Sequence, residues 1–158
     1  MSDRLLDQKV LIYDPRKCSG CEYCAVVCSF HHYGVIDTAR SYVQVFRDES
    51  KPVAFISALC THCEHPLCEA ACPTDPKAIT KDPETGLVLL DTLRCIGCQS
   101  CTFACPISIP HFDADRGTSS KCDFCDGDPL CAKYCSTGAI KVVTRKEAKQ
   151  FMEEIARE

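Results

Sequence analysis

No tryptophan occurs among the 158 residues, and methionine occurs only twice. Long apolar runs are absent too. The longest stretches of apolar side chains extend a few residues, against the roughly 20 that a bilayer-crossing helix needs, so no segment is expected to span a membrane. Lysine and arginine never gather into the basic block that a nucleic-acid or anionic-membrane surface requires. Acidic residues outnumber basic ones, 22 to 18, and the formal charge is −4. The opening stretch, MSDRLLDQKVLIYDP, has no apolar core, no twin arginine and no small-residue cleavage site. It does not read as a secretory signal. The expectation is a cytoplasmic, reduced protein, where disulfides are rare. Also missing are a G-x-G-x-x-G in Rossmann context, a P-loop, a nucleophile elbow and any conspicuous acid–base pair. The chain is not expected to turn over a substrate by itself.

One residue type is present in great excess. Sixteen cysteines fall into four blocks: Cys18, Cys21, Cys24, Cys28; Cys60, Cys63, Cys68, Cys72; Cys95, Cys98, Cys101, Cys105; and Cys122, Cys125, Cys131, Cys135. None is left over. The first and third blocks read C-x2-C-x2-C-x3-C, the bacterial ferredoxin spacing for a cubane iron–sulfur cluster. The second and fourth keep the opening C-x2-C and the closing C-x3-C, with only the middle gap longer. A cubane has four iron corners. One tight loop can wrap three of them, and small residues such as Ser19, Gly20 and Gly97 let backbone amides approach the sulfurs. The fourth corner lies outside that loop's reach, and in two-cluster ferredoxins the last Cys of one block ligates the other cluster.

Four thiolates per cluster imply four [4Fe–4S] clusters and a path for electrons. With roughly −2 per oxidised cubane, the loaded protein would carry about −12, which disfavours nucleic acid further. The apolar stock is thin for a core of this size, so the clusters would supply the cross-links, and the metal-free chain is expected to be largely unfolded. Two other readings of the cysteines are zinc and disulfides. Zinc sites with four cysteines usually join two short knuckles across a longer spacer, which is not this pattern. A version with three clusters and one inert block also fits the count.

The chain repeats itself. Shifted by 77 residues, the first block falls on the third, and Gly20 falls on Gly97. His65-Pro66-Leu67-Cys68 parallels Asp128-Pro129-Leu130-Cys131, and Pro73-Thr74 to Ala78-Ile79 parallels Ser136-Thr137 to Ala139-Ile140. An internal duplication is the simplest account. Short alternating stretches predict strands over Val10–Tyr13, Tyr42–Phe46, Val53–Ser57, Leu87–Leu90 and Ile140–Val143. Single helical turns are expected over Ala25–Cys28 and Thr102–Cys105. Near the C-terminus, Thr144 and Glu147 form a capping-box pair. Ala148, Phe151, Met152 and Ile155 then share one helical face, expected to pack on the chain's own domain.

The order of tight, relaxed, tight and relaxed blocks resembles the four-cluster iron–sulfur subunits of the DMSO reductase electron-transfer family, over Val10 to about Val143. Cys28-Ser29-Phe30-His31-His32, continued through Ala39-Arg40-Ser41, and Lys121-Cys122-Asp123-Phe124-Cys125-Asp126-Gly127-Asp128-Pro129-Leu130-Cys131 look most like the small soluble subunits of tungsten aldehyde oxidoreductases and benzoyl-CoA reductases. The resemblance implies an α+β fold of two ferredoxin-like two-cluster modules related by a pseudo-twofold. Residues 1–50 and 115–143 would form the outer module and residues 51–114 the inner one, inserted in it, with a C-terminal helix over 144–158. It further implies four ligand sets. Cluster one takes Cys18, Cys21, Cys24 and Cys135. Cluster two takes Cys122, Cys125, Cys131 and Cys28. Cluster three takes Cys60, Cys63, Cys68 and Cys105. Cluster four takes Cys95, Cys98, Cys101 and Cys72.

The implied role is relaying single electrons between a large catalytic subunit, of the tungsten- or molybdenum-pterin kind, and a ferredoxin or flavin subunit. A tungsten-pterin aldehyde oxidoreductase is the favoured partner. A benzoyl-CoA reductase, a formate dehydrogenase, a hydrogenase and a free-standing polyferredoxin are the alternatives. One departure stands out. Proline commonly follows the last Cys of a block in ferredoxins, as Pro73 and Pro106 do in this chain, but Ser29 and Ser136 stand at the other two places. Each serine restores an N–H and adds a hydroxyl, expected to shift the outer cluster potentials. Of the five histidines, His31, His32, His62 and His65 lie near blocks and are not expected to ligate iron; a hydrogen bond in support of a cluster, or a partner contact near His31, is one reading and a plain surface role the other, and His111 has no special claim. Tyr23, Phe30, Phe103 and Phe124 are expected to shield clusters.

Overall fold

The computed structural model describes residues 6–51 and 54–157. Its elements run β1 (Lys9–Tyr13), α1 (Tyr23–Tyr33), β2 (Gln44–Arg47), β3 (Phe55–Ala58), α2 (Leu67–Ala70), β4 (Ile79–Lys81), β5 (Val88–Leu90), α3 (Ser100–Ala104), β6 (His111–Asp113), β7 (Thr118–Ser120), α4 (Leu130–Lys133), β8 (Ile140–Thr144) and α5 (Arg145–Ile155). The strands pair into four two-stranded antiparallel ladders: β1 with β8, β2 with β3, β4 with β5, and β6 with β7. This is an α+β architecture of the ferredoxin-like kind. Each ladder bridges a gap between cysteine blocks, and β1–β8 closes the chain by pairing Lys9 with Thr144 through Tyr13 with Ile140.

The expected strands mostly occur, with shifted ends. The second begins at Gln44 rather than Tyr42, because Tyr42 and Val43 are buried in the core and the Ser41 hydroxyl ties up Val43. The third begins at Phe55, and the expected start at Val53 lies outside the described residues. Strands β4, β6 and β7 are three residues each, too short for alternation to register.

The helix that begins within the first block is longer than the single turn expected. It starts behind Glu22, whose backbone is left-handed, and runs three turns to Gly34, whose N–H donates to the Phe30 carbonyl at 2.8 Å. Ser29 makes this possible. In the third block Pro106 forces Cys105 into an extended conformation, and α3 stops at Ala104. Ser29 imposes no such restriction. It is fully buried, and its hydroxyl donates to the Val26 carbonyl (3.0 Å) and accepts from the Asp37 N–H (3.2 Å). The serine therefore ties the helix to the next turn rather than supporting a sulfur.

Two small apolar nuclei hold the chain. One gathers Leu11, Ala25, Tyr42, Val43, Leu59, Phe124 and Ile140 with Cys28 and Cys131. The other is only Ile79, Val88 and Cys101, with Cys68 and Cys72 packed against it. Cysteines are thus members of the core. At the C-terminus, the Thr144 and Glu147 capping box forms as expected, and α5 lies on β1 and β8. Ala148, Phe151 and Ile155 are half-buried, whereas Met152 is largely exposed. Among the described residues, no helix is long and apolar enough to cross a membrane.

Candidate metal centres

Three hollows are each lined by the first three cysteines of one block and the last cysteine of another. The first is lined by Cys18, Cys21 and Cys24 with Cys135. The second has Cys122, Cys125 and Cys131 with Cys28, and Cys60 also reaches its wall. The third has Cys95, Cys98 and Cys101 with Cys72. The remaining four cysteines are neighbours by charge: the Cys63 and Cys105 sulfurs act on Cys60, and Cys60 and Cys105 act on Cys68.

The openness of these sets bears on what they can hold. A Zn–S bond is about 2.3 Å, so four thiolates on one zinc ion crowd within about 4 Å of one another. Among the described residues, the group of ligand atoms spaced that closely, within 4.8 Å, is His31, His32 and Cys125; no set of four cysteines is. The tetrads surround hollows instead, which suits a cubane with sulfurs at its corners. Backbone donors reach the sulfurs as such a site requires. Gly20 N–H donates to Cys18 Sγ (3.4 Å), Tyr42 N–H to Cys28 Sγ (3.4 Å), Gly97 and Ser119 N–H to Cys95 Sγ (3.5 and 3.4 Å), and Ile140 N–H to Cys135 Sγ (3.5 Å).

Cys72 and Cys135, each the last of its block, sit in a different environment from the buried cysteines before them. Burial pushes the thiols of Cys60, Cys122 and Cys125 up, and those of Cys24 and Cys68 to about 11 and Cys131 to about 12. Cys72 is also pushed up by burial, but the Thr74 hydroxyl and the N–H groups of Thr74, Ile79 and Ala78 more than reverse this and bring it down to about 7. Cys135 follows the same pattern, lowered against burial by the N–H groups of Ile140, Ala139 and Thr137 and by the Thr137 hydroxyl. The repeated Pro73-Thr74…Ala78-Ile79 and Ser136-Thr137…Ala139-Ile140 segments are therefore matching nests of donors that favour a thiolate. Neither Pro73 nor Ser136 is among the donors. The N–H that a serine restores at position 136 is not one the sulfur uses.

Two histidines support the sites without joining a tetrad. His32 Nδ1 lies 2.8 Å from the Cys28 carbonyl and 3.8 Å from its Sγ, and Nε2 lies 3.0 Å from Asp123. Burial opposes a charge on His32, yet bonds to Asp123 and Cys28 raise it to about 11. Asp123 is lowered to about 2 against its own burial, with His32 the main cause. His62 is buried and accepts the Val88 N–H at 2.9 Å through Nδ1; burial, then Lys121, lowers it to about 3, so it is neutral. His31 and His65 are exposed. His111 lies half-buried against the Tyr42 ring.

The aromatic expectation needs correcting. Of the four, Phe124 alone is buried, edge-on to His62. Tyr23, Phe30 and Phe103 are about half exposed or more. Tyr23 and Phe30 lie on the face of α1 opposite Ala25, Cys28 and Ser29, and Phe103 lies opposite Cys101 on α3. The supporting groups that sequence reasoning does not reach are the Thr74 and Thr137 hydroxyls, Ser119, Asp123 and Lys121. The repeat marks the two threonines, but nothing in its spacing points to sulfur.

The 4Fe–4S dicluster domain matches residues 51–145 and, separately, residues 17–76. The chain belongs to this family. It carries four [4Fe–4S] clusters and serves electron transfer without catalytic chemistry of its own. The polyferredoxin-like subunit of an aliphatic sulfonate oxidoreductase from Pyrococcus furiosus is 36% identical, over 91% of this chain and 83% of that protein. A thiosulfate reductase electron transfer subunit from Salmonella typhi is 33% identical, over 88% of this chain and 77% of its own length. Among solved structures, the BamBC active-site complex of benzoyl coenzyme A reductase has a similar chain at 27% identity and a TM-score of 0.49, covering 93% of this chain and 88% of that one.

Proposed function

We propose that this chain is the wire of an oxidoreductase complex, with its clusters ordered one to four. Cys18, Cys21, Cys24 and Cys135 hold the first; Cys122, Cys125, Cys131 and Cys28 the second; Cys60, Cys63, Cys68 and Cys105 the third; Cys95, Cys98, Cys101 and Cys72 the fourth. The observation that carries this reading is the lining of three separate hollows by three cysteines of one block and the last of another. Contacts between sets support the order. Cys24 packs against the nucleus that includes Cys131, and Cys60 lines the second hollow. Cys68 packs on the same nucleus as Cys72 and Cys101.

When bound, the clusters would supply one-electron chemistry; the chain's part would be to hold them through these four sets of thiolates and to donate backbone N–H groups to their sulfurs. The ladders support a division into an outer module (1–50 and 115–143), an inner one (51–114) and a terminal helix (144–158). β4–β5 links blocks two and three as β1–β8 links blocks four and one, in keeping with a pseudo-twofold. Cys98 is exposed at one end of the order, amid solvent-facing Leu93, Ile96 and Phe103, a surface suited to a redox partner.

The catalytic partner is a tungsten- or molybdenum-pterin subunit, a tungsten aldehyde oxidoreductase by preference, and a ferredoxin or flavin subunit takes or supplies the electrons. Sixteen thiols kept free for iron suit a reducing, cytoplasmic compartment. The test is anaerobic purification from the native host. About sixteen iron and sixteen sulfide per chain with a tungsten-containing large subunit is the expected result. Molybdenum in place of tungsten would refute the preferred partner, and isolation of the chain alone would refute the complex. Replacing Cys135 by Ala should disable the cluster held by Cys18, Cys21 and Cys24; loss of only the fourth block's cluster would refute the crossing.

A further inference from the structure

Lys121 is an anomaly among the charged residues. Its side chain is 5% exposed, whereas lysine is almost never fully buried unless paired. Its Nζ donates to the Val88 carbonyl and to the Cys122 carbonyl (2.8 Å). Both acceptors are neutral, and among the described residues no carboxylate pairs with it. The nearby carboxylate of Asp123 is taken by His32. An unpaired ammonium in a protein interior is costly, and the usual escape is a compensating charge close by.

The charges it can meet are sulfurs of two different sets. Lys121 holds the carbonyl of Cys122, which belongs to the second cluster of the proposed order, and its other acceptor, Val88, lies in the nucleus against which Cys68 of the third is packed. Position explains why. Lys121 stands immediately before the fourth block, and its ammonium reaches across to β5 of the inner module. Cys60 reaches the wall of the second hollow from the other side. Two clusters of about −2 each would face one another across this junction, and a positive charge between them offsets their repulsion.

We propose that Lys121 is the fixed counter-charge of the junction between clusters two and three, and that it raises the reduction potential of both. Reduction adds a negative charge to a cluster, so a buried cation beside it favours the reduced form. Lys121 is buried and is a positioning residue acting on the electrostatics of clusters two and three. This inference rests on the ligand sets proposed above.

The experiment is an EPR-monitored redox titration of the full, cluster-loaded chain, with iron and sulfide measured alongside. Each couple is assigned by the signal missing when one of its ligands is Ala. The variants are Lys121→Met, Lys121→Gln, which keeps a donor but not the charge, and Lys121→Arg, which keeps the charge. In both neutral variants two of the four reduction equilibria should shift towards the oxidised form by about tenfold, about 59 mV for a one-electron couple. Those two should be clusters two and three. Lys121→Arg should stay near the parent. No shift, an equal shift of all four couples, or an equal shift in Lys121→Arg would overturn the proposal. Failure of both neutral variants to load clusters two and three, with full loading in Lys121→Arg, also supports it; failure of all three overturns it. Far fewer than sixteen irons in the unsubstituted chain would instead refute the four-cluster reading itself.

Discussion

Replacing Gly97 by alanine tests whether the tight loop of the third block depends on close backbone approach, and Gly34→Ala supplies the control. Both residues are left-handed, with φ of 69° and 70°. Forcing an L-residue into that region costs about 1–2 kcal/mol in either place. Around Gly34 nothing lies within 4 Å of where the new methyl would sit. At Gly97 the methyl would meet the Gly117 carbonyl oxygen at 2.6 Å and the Phe112 ring at 3.1 Å. Ordinary contact begins near 3.4 Å, so the β6–β7 turn must retreat by about 0.8 Å. Overpacking of that kind costs about 1–3 kcal/mol more. The retreating segment also carries Ser119, whose N–H donates to Cys95 Sγ and whose hydroxyl lies 3.4 Å from Cys101 Sγ.

The assay is first-order loss of cluster absorbance at a fixed temperature, under anaerobic conditions. If strain is released as the loop opens, Gly34→Ala should speed the loss by about 5–30-fold, the equivalent of its conformational cost. Gly97→Ala should exceed this by at least another fivefold, the equivalent of about 1 kcal/mol. Its excess loss should fall on the cluster that Cys95, Cys98 and Cys101 help to hold. Equal rates in the two variants would show that the close approach does not matter, and would leave the glycine between Cys95 and Cys98 without a packing reason.

Three further outcomes are expected. Stripping iron with a chelator under reducing conditions should abolish most far-UV circular dichroism, because the two apolar nuclei are small and include Cys28, Cys101 and Cys131; retention of the native spectrum would contradict this. In His32→Gln, the stability deficit should depend on pH with a definite sign. His32 is raised to about 11 in the fold, so its contribution is complete below its ordinary value near 6.5 and declines as pH climbs from there towards 11. Cluster-loss rates for parent and variant, compared from pH 6 upward, should therefore converge; a gap that widens with pH would refute the ion pair. Thr144→Ala removes the N-cap of α5 and should destabilise that helix by about 1 kcal/mol, read as faster hydrogen exchange over Arg145–Ile155 with cluster content unchanged.

The cysteine spacing carries most of what can be read in advance. Spacing is covalent information, and a cubane constrains it tightly, so resemblance to ferredoxins suggests a three-plus-one grouping around Cys135, Cys28 and Cys72, and the lining of the three hollows is in keeping with it. Local rules also work at Thr144 and Glu147, where cap and acceptor are three residues apart. Legibility fails where the deciding partner is distant in sequence. His32 finds Asp123 across 91 residues, Lys121 reaches Val88 across 33, and Tyr42 joins the core instead of a strand. Aromatics fail for a different reason. Hydrophobicity at Tyr23, Phe30 and Phe103 suggests shielding, but on a helix their distance in residues from Cys28 and Cys101 turns them to the opposite face.

Ser29 shows how one such position changes the fold near a site. A proline there would end the helix beside Cys28, as Pro106 ends α3 beside Cys105. Serine lets α1 continue through His32, and only that continuation brings the imidazole to both the Cys28 carbonyl and Asp123, two residues before Cys125. Cys28 and Cys125 belong to different blocks but line the same hollow. The departure from the ferredoxin proline pattern thus acts through geometry rather than through its own hydroxyl, which is spent on Val26 and Asp37. It follows that Ser29→Pro should perturb the second hollow much more than Ser136→Pro perturbs the first. Position 136 is exposed and contributes no donor to Cys135. Redox titration of both variants should move the cluster that Cys28 helps to hold and leave the one at Cys135 near its parent value; shifts of equal size would mean that the residue after the last cysteine acts on the sulfur directly.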